Sequence, residues 1–156
     1  TPLKAGSALP DITLHKVEGA VGSLDALSGK HVLVGVPGAF TPTCHLKHLP
    51  SYVTDAAKFA EAGVGLSVVS VNDAFVMKAW GKATGADEAG IAVLADPQGE
   101  LAKALGVETD IPPLGGLRSQ RFAAYIEEGI IKHLVVDSGD ESSFAPALLK
   151  VVAGEA

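Results

Sequence analysis

The sequence is poor in cysteine, in cationic residues and in long apolar runs, and each shortage excludes a class of protein. One cysteine cannot form an internal disulfide, so the disulfide-stapled secreted scaffolds are excluded. With 12 Lys and Arg against 18 Asp and Glu, the net charge is −6, which argues against nucleic acid or an anionic membrane as partner. The longest apolar runs have the length of a core strand, far short of the roughly 20 residues that span a bilayer.

The remaining composition is that of a folded domain. Of the 156 residues, 47% are apolar and 19% are charged, which excludes a disordered tail protein. Without repeats or linkers, residues 1–156 are predicted to form one domain. The N-terminus lacks a basic region followed by an apolar stretch, so no secretory signal peptide is expected. We expect a soluble intracellular protein, in the cytoplasm or, after removal of a transit peptide, in a chloroplast or mitochondrion.

Strands and helices are predicted to alternate along the first two thirds of the chain, before a hairpin and a last helix. Strands are expected over 31–36, 65–71, 91–95, 121–126 and 130–136, and helices over 43–60, 73–84, 96–106 and 142–152. This order is typical of an α/β thioredoxin-like fold, with a central mixed β-sheet flanked by helices and extra N-terminal strands.

The segment that carries chemistry is Pro37-Gly-Ala-Phe-Thr-Pro-Thr-Cys44, between a buried strand and the first turn of a helix. Unpaired N–H groups and the helix dipole at that position favour the thiolate form of a cysteine. The alternative is that Cys44 is a small buried apolar residue, the common fate of a lone cysteine. Thr41 can bring a hydroxyl to the sulfur, and Pro37 and Pro42 stiffen the loop, which favours a reactive thiol.

This loop resembles the peroxidatic loop of the peroxiredoxins. Agreement with the type II (atypical), peroxiredoxin-5-like branch extends from about Ala8 to Leu149. The further matching segments are Leu49-Pro50, Val71-Asn-Asp-Ala-Phe-Val76 followed by Trp80, Leu94-Ala-Asp-Pro97 and Arg121-Phe122.

The resemblance implies a thiol peroxidase that reduces hydrogen peroxide and small alkyl hydroperoxides. Cys44 would be the peroxidatic nucleophile and become a sulfenic acid. Thr41 would bond the thiolate and the peroxide, and Arg121 would stabilise the thiolate and orient the peroxide. Pro37 would screen the sulfur, and the backbone N–H groups of Thr43 and Cys44 would hold the other peroxide oxygen.

The choice of arginine depends on the resemblance. Arg118 and Arg121 lie three residues apart, and either is compatible with an ordinary surface charge. The match at Arg121-Phe122 favours Arg121.

The chain departs from many relatives in having no second, resolving cysteine. Relatives place that residue near the start of the last helix, around Ser142 and Ser143, or in the strand near Ser67. The sequence leaves open whether its absence here is natural or engineered. An external thiol must therefore reduce the sulfenic acid: glutathione with glutaredoxin, or a thioredoxin.

The resemblance also implies a homodimer, with Phe75 and nearby residues at its face. Two other functions stay open at this point. One is a non-catalytic redox sensor or relay that passes oxidation from Cys44 to a partner protein. The other is a structural protein on the same scaffold, with an inert buried thiol.

No metal and no cofactor are predicted. Cys44 and His48 are four residues apart and share a helix face, but a metal site needs three or four ligands and no second cluster is found. We expect His48 to be a solvated or capping residue. Thr41 occupies the first position of a Cys-x-x-Cys pair, which excludes thioredoxin-type disulfide exchange.

Overall fold

The computed structural model describes residues 1–154, so the last two positions of the predicted 1–156 domain lie outside the described residues. The strands, in chain order, are β1 (Thr13–Lys16), β2 (Gly19–Gly22), β3 (Lys30–Val36), β4 (Gly65–Ser70), β5 (Ala92–Ala95), β6 (Glu108–Ile111), β7 (Gly116–Ser119), β8 (Phe122–Glu127) and β9 (Ile130–Val136). The α-helices are α1 (Ser23–Ala26), α2 (Leu49–Glu61), α3 (Ala74–Thr84), α4 (Glu100–Leu105) and α5 (Ala145–Val152). A π-helix (Cys44–His48) precedes α2, and a 3-10 helix (Pro112–Leu114) separates β6 from β7.

Seven strands form one mixed sheet in the order β2-β1-β5-β4-β3-β8-β9. The three central strands β5, β4 and β3 are parallel, whereas β8 and β9 are antiparallel and the N-terminal hairpin β1-β2 joins the other side. Strands β6 and β7 form a separate two-stranded sheet. The prediction of a central mixed sheet with added N-terminal strands is therefore confirmed.

Strand β3 separates two apolar clusters, as expected for a strand that is buried on both faces. Val32, Val34 and Val36 belong to the cluster that also contains Trp80 of α3 and Leu148 of α5. Leu33 belongs to the opposite cluster, with Leu94, Leu101 and Phe122.

Gly35 in β3 is required by close packing. It lies opposite Phe122 of β8 in the antiparallel ladder, and a Cβ at position 35 would overlap the Phe122 ring. The ring therefore lies directly over the backbone of β3, which fixes how β8 sits beside it.

The helix after β5 begins later than its sequence signals indicate. Asp96-Pro97 resembles an N-cap followed by proline, yet α4 begins at Glu100, because Gly99 adopts a left-handed conformation with φ of 69°. Asp96 still caps the helix from a distance: its two carboxylate oxygens accept from the N–H groups of Leu101 and Ala102. The last helix also begins later than predicted, at Ala145.

None of the helices within residues 1–154 is long and apolar enough to cross a bilayer.

Candidate active site

Cys44 lies where the loop after β3 enters the helical segment. It is the first residue of the π-helix, whose wider register is visible in the bond from the Leu49 N–H to the Cys44 carbonyl. Its side chain is 1% exposed and packs at the edge of the core cluster that contains Val36 and Leu49. By burial alone it resembles an inert core thiol, so its chemistry is decided by what contacts the sulfur.

The sulfur contacts a guanidinium. Arg121 Nη2 donates to Cys44 Sγ at 3.2 Å. The sheet explains this contact: β8 is antiparallel to β3 and pairs Phe122 with Gly35, so Arg121 lies beside the end of β3 from which the cysteine loop emerges. A permanent positive charge therefore faces the atom that would act as the nucleophile.

The other arginine is engaged elsewhere. Arg118 of β7 donates to the Leu114 carbonyl from Nε and Nη2, and from Nη1 to the Val71 carbonyl at 2.9 Å. Its hydrogen bonds join three chain segments and are all directed at backbone oxygens. Of the two arginines, the structure brings Arg121 to the sulfur.

The loop between β3 and the π-helix is held by its own polar groups. The Thr41 hydroxyl donates to the Gly38 carbonyl at 2.6 Å, and the Thr41 carbonyl accepts from the His45 N–H. Since its proton is used within the loop, Thr41 Oγ1 presents lone pairs, which can accept from a hydroperoxide O–H. The Ala39 N–H donates to Asn72 Oδ1, which fastens the loop to the end of β4.

The two ends of this loop carry the other predicted site residues: Pro37 at the β3 end, and Thr43 and Cys44 at the helical end. Pro37 follows β3 directly and is half-buried, and Thr43 is exposed at the first turn of the helical segment. N–H groups in a first helical turn have no acceptor within the helix, which makes those of Thr43 and Cys44 candidates for binding an oxygen atom.

His48 is fully buried, which contradicts the expectation of a solvated or capping residue. Its Nδ1 lies 2.8 Å from Arg121 Nη1, and its ring stacks on Phe144 with centroids 4.9 Å apart. Burial, together with the neighbouring Arg121 charge, lowers the pKa of His48 to about 4, so the ring is neutral at physiological pH. The Cys44–His48 spacing was the signal that could have identified it.

Two further residues were missed by the sequence analysis. Ser143 is buried, and its hydroxyl lies 3.1 Å from His48 Nε2 and donates to Asp137 Oδ2 at 2.6 Å. Burial by itself would raise the pKa of Asp137, but hydrogen bonds from the Ser143 hydroxyl and from backbone N–H groups outweigh it and lower the pKa to about 2. Asp137 is therefore a carboxylate.

A cavity of about 240 Å³ adjoins Arg121 on the outer side of this network. Thr43, Lys47, Glu141 and Phe144 are among its other lining residues, so it carries charges of both signs. The arrangement as a whole combines a sulfur in contact with a guanidinium and a small polar cavity lined by the same arginine, which suits nucleophilic attack on a small polar oxidant.

Known proteins with this architecture are numerous. A model of the Redoxin family matches residues 4–148. "Peroxiredoxin-2E-2, chloroplastic" of Oryza sativa subsp. japonica is 40% identical over 163 aligned residues, covering 96% of this chain and 72% of that protein.

Solved structures agree with the family match. Reduced Prx3 from Vibrio vulnificus has a TM-score of 0.91 at 43% identity, covering 97% of this chain and 99% of that one. Peroxiredoxin 5 from Alvinella pompejana has a TM-score of 0.89 at 33% identity, covering 98% and 99%. Both confirm the predicted thioredoxin-like fold. The chain thus belongs to the Redoxin family, as a thiol-dependent peroxidase of the type II, peroxiredoxin-5-like branch of the peroxiredoxins with a single cysteine.

Proposed function

We propose that the protein reduces hydrogen peroxide and small alkyl hydroperoxides through Cys44 in a one-cysteine cycle. The observation that carries the proposal is the 3.2 Å contact between Arg121 Nη2 and Cys44 Sγ in a chain with one cysteine. Restriction to small hydroperoxides is supported by the 1% exposure of Cys44, because a bulky substituent has little room beside the sulfur.

In the first half of the cycle the Cys44 thiolate attacks one peroxide oxygen. An S–O bond forms as the O–O bond breaks, the sulfur loses two electrons to become a sulfenic acid, and the leaving oxygen departs as hydroxide or alkoxide and takes up a proton. Arg121 opposes the negative charge on the sulfur and on the oxygens while the O–O bond lengthens.

The loop has complementary tasks in this step. Thr41 Oγ1 accepts the peroxide O–H, which aligns the O–O bond with the sulfur. The N–H groups of Thr43 and Cys44 bind the leaving oxygen as it gains charge. Pro37, which has no N–H, screens the sulfur from water.

In the second half of the cycle an external thiol replaces a resolving cysteine. Its thiolate attacks the sulfenic sulfur, the S–O bond breaks and hydroxide leaves, which takes up a proton to become water. A second thiol then cleaves the mixed disulfide, which restores the Cys44 thiol and forms the donor's own disulfide. Glutathione with glutaredoxin and thioredoxin both supply this chemistry. Such donors belong to reducing compartments, so we place the reaction in the cytoplasm or in an organelle.

We place a homodimer interface on the apolar surface beside the cysteine loop. Phe40, Leu46 and Phe75 are exposed by 50%, 70% and 74%. The segments that carry them touch each other, because the Phe40 ring stacks on His45 and Trp80 of α3 donates to His45 Nδ1. A second copy covering this surface would bury three large apolar side chains.

The test of the proposed function is catalytic turnover. The wild-type protein is expected to consume many equivalents of hydrogen peroxide when supplied with glutathione and glutaredoxin, or with a thioredoxin system. Cys44→Ser is expected to fall to the uncatalysed rate. A single stoichiometric oxidation with every donor would instead identify a redox sensor, and full activity of Cys44→Ser would refute the assignment.

A further inference from the structure

Arg121 can act on the sulfur only while its flexible side chain is held in one place. The two terminal nitrogens of the guanidinium have different partners: Nη2 contacts Cys44 Sγ, and Nη1 lies 2.8 Å from His48 Nδ1. Two contacts on one rigid plane fix its orientation as well as its position. Without the His48 contact, the sulfur would be the one side-chain hydrogen-bond partner of the guanidinium among residues 1–154.

The protons in this contact can be assigned from chemistry. An arginine donates and has no acceptor, so Nδ1 of His48 must accept and carries no proton. The proton of the neutral ring is then on Nε2, which faces the Ser143 carbonyl and hydroxyl, each at 3.1 Å. The Ser143 hydroxyl donates onward to Asp137 Oδ2. Each donor in this chain therefore points away from Arg121: Arg121 donates to His48, His48 to Ser143, and Ser143 to the Asp137 carboxylate.

The chain of hydrogen bonds also returns to its origin. The Asp137 N–H donates to the Arg121 carbonyl at 2.8 Å, so the residue that anchors the far end is bonded to the backbone of the arginine itself. His48 and Ser143 are fully buried and Asp137 is 8% exposed, which leaves little room for water to substitute for a missing partner. The carboxylate is held in turn by the N–H groups of Gly139 and Ser143.

From this closed ring we infer that His48, Ser143 and Asp137 are positioning residues of the peroxidase, which hold Arg121 against Cys44. The inference rests on the proposed function, because the rate it explains is that of peroxide attack on Cys44. The lowered pKa of His48 agrees with it, since a protonated ring would have no acceptor for Arg121.

The experiment measures the second-order rate constant for oxidation of Cys44 by hydrogen peroxide in single-turnover stopped flow. His48→Phe keeps a ring to stack on Phe144 but removes the acceptor, and it is expected to slow oxidation by about 10- to 100-fold, the cost of a misplaced reacting group. His48→Asn offers an oxygen near the position of Nδ1 and is expected to recover much of that loss.

Two comparisons separate positioning from general damage. In an Arg121→Ala background, His48→Phe is expected to have no further effect, because the ring acts through the guanidinium. Tyr52→Phe is the matched control: it deletes a buried hydroxyl that donates to the same Ser143 carbonyl, outside the path to Arg121, and is expected to keep the wild-type rate.

Asp137→Asn tests the same inference if His48→Phe does not fold. It removes the charge at the far end with little change of shape, and is expected to slow oxidation about fivefold, the size of one weakened hydrogen bond. The inference is overturned if His48→Phe reacts within about twofold of wild type, or if the losses of His48→Phe and Arg121→Ala multiply; where His48→Phe does not fold, Asp137→Asn within about twofold of wild type overturns it. All of these variants keep Cys44, so Cys44→Ser tests the proposed function independently.

Discussion

Two buried histidines lie at opposite ends of β3, and their surroundings differ. His31 is in the first part of the strand, packed over Gly65, and its Nε2 lies 2.7 Å from the Ser67 hydroxyl on β4. His48 lies on the side of the carboxyl end and contacts the guanidinium that touches the sulfur. Burial lowers the pKa of both rings to about 4.

The lowered pKa of each histidine therefore reports its burial and does not distinguish the two sites. What distinguishes them is the charge of the neighbouring group. The partner of His31 is a neutral hydroxyl, so this hydrogen bond contributes to packing of the core and has no link to a reactive group. The partner of His48 is a cation whose other nitrogen is directed at a reactive atom. Changes at the carboxyl end are expected to alter chemistry, and changes at the opposite end to alter stability.

The largest effect is expected from Arg121→Ala. Removal of the cation that faces the thiolate and the breaking O–O bond should slow Cys44 oxidation by about 10²- to 10³-fold, comparable to loss of one oxyanion donor. Arg118→Ala, in which three bonds to backbone carbonyls are lost, should reduce the free energy of unfolding and leave the rate nearly unchanged. Stopped-flow oxidation and denaturant unfolding of both variants provide the check, and equal slowing by the two would contradict it.

An intermediate effect is expected from acid. Each buried histidine has a folded-state pKa of about 4 against 6.5 when unfolded, so between these values the unfolded chain binds more protons. Stability is therefore complete above pH 6.5 and falls as the pH drops towards 4, by up to about 1.4 kcal/mol per pH unit for each ring. The pKa of Asp137 is lowered from 3.8 to about 2, so this carboxylate adds to the loss of stability as the pH falls below 3.8.

One variant measures the contribution of His31 to this loss. His31→Gln keeps a partner for Ser67 but does not titrate, so it should reduce the pH slope between 4 and 6.5 by up to about 1.4 kcal/mol per pH unit while keeping the peroxide rate. Urea unfolding at a series of pH values measures the slope. A slope unchanged by this substitution would show that His31 does not contribute to it.

The smallest effect is expected from Ser67→Ala. Loss of the hydroxyl leaves a buried ring nitrogen of His31 without its partner, which should cost about 1–2 kcal/mol of unfolding free energy. Peroxide oxidation of Cys44 should be unaffected, because Ser67 is remote in its contacts from the Arg121 network. A slower reaction in this variant would break the distinction between the two ends.

Elements with strong local patterns could be predicted from the sequence. The apolar run of β3, the capping Asp73 of α3 and the left-handed Gly106 after α4 are determined by short-range physics, and all lie close to where they were expected. The four-residue strands β6 and β7 were missed, because Glu108–Ile111 is polar and half-exposed and its pairing depends on a turn of prolines and glycines.

The candidate site could be predicted only where residues adjoin a recognisable motif. Cys44 and Arg121 follow from the loop and from Arg121-Phe122. The spacing from Cys44 singles out His48, but the prediction of a solvated or capping residue is wrong, since its burial depends on Arg121 and Ser143, which lie 73 and 95 residues further along the chain. No local pattern encodes such a contact.

The absent side chain at Gly35 has an evolutionary consequence. Because the Phe122 ring occupies that space, and Phe122 is the residue next to Arg121, a methyl group at position 35 would push the aromatic ring and displace the neighbouring cation. Positions 35 and 122 are thus expected to co-vary among relatives, with a larger residue at the first accompanied by a smaller one at the second. Selection for catalysis would then act on a glycine that never meets the substrate.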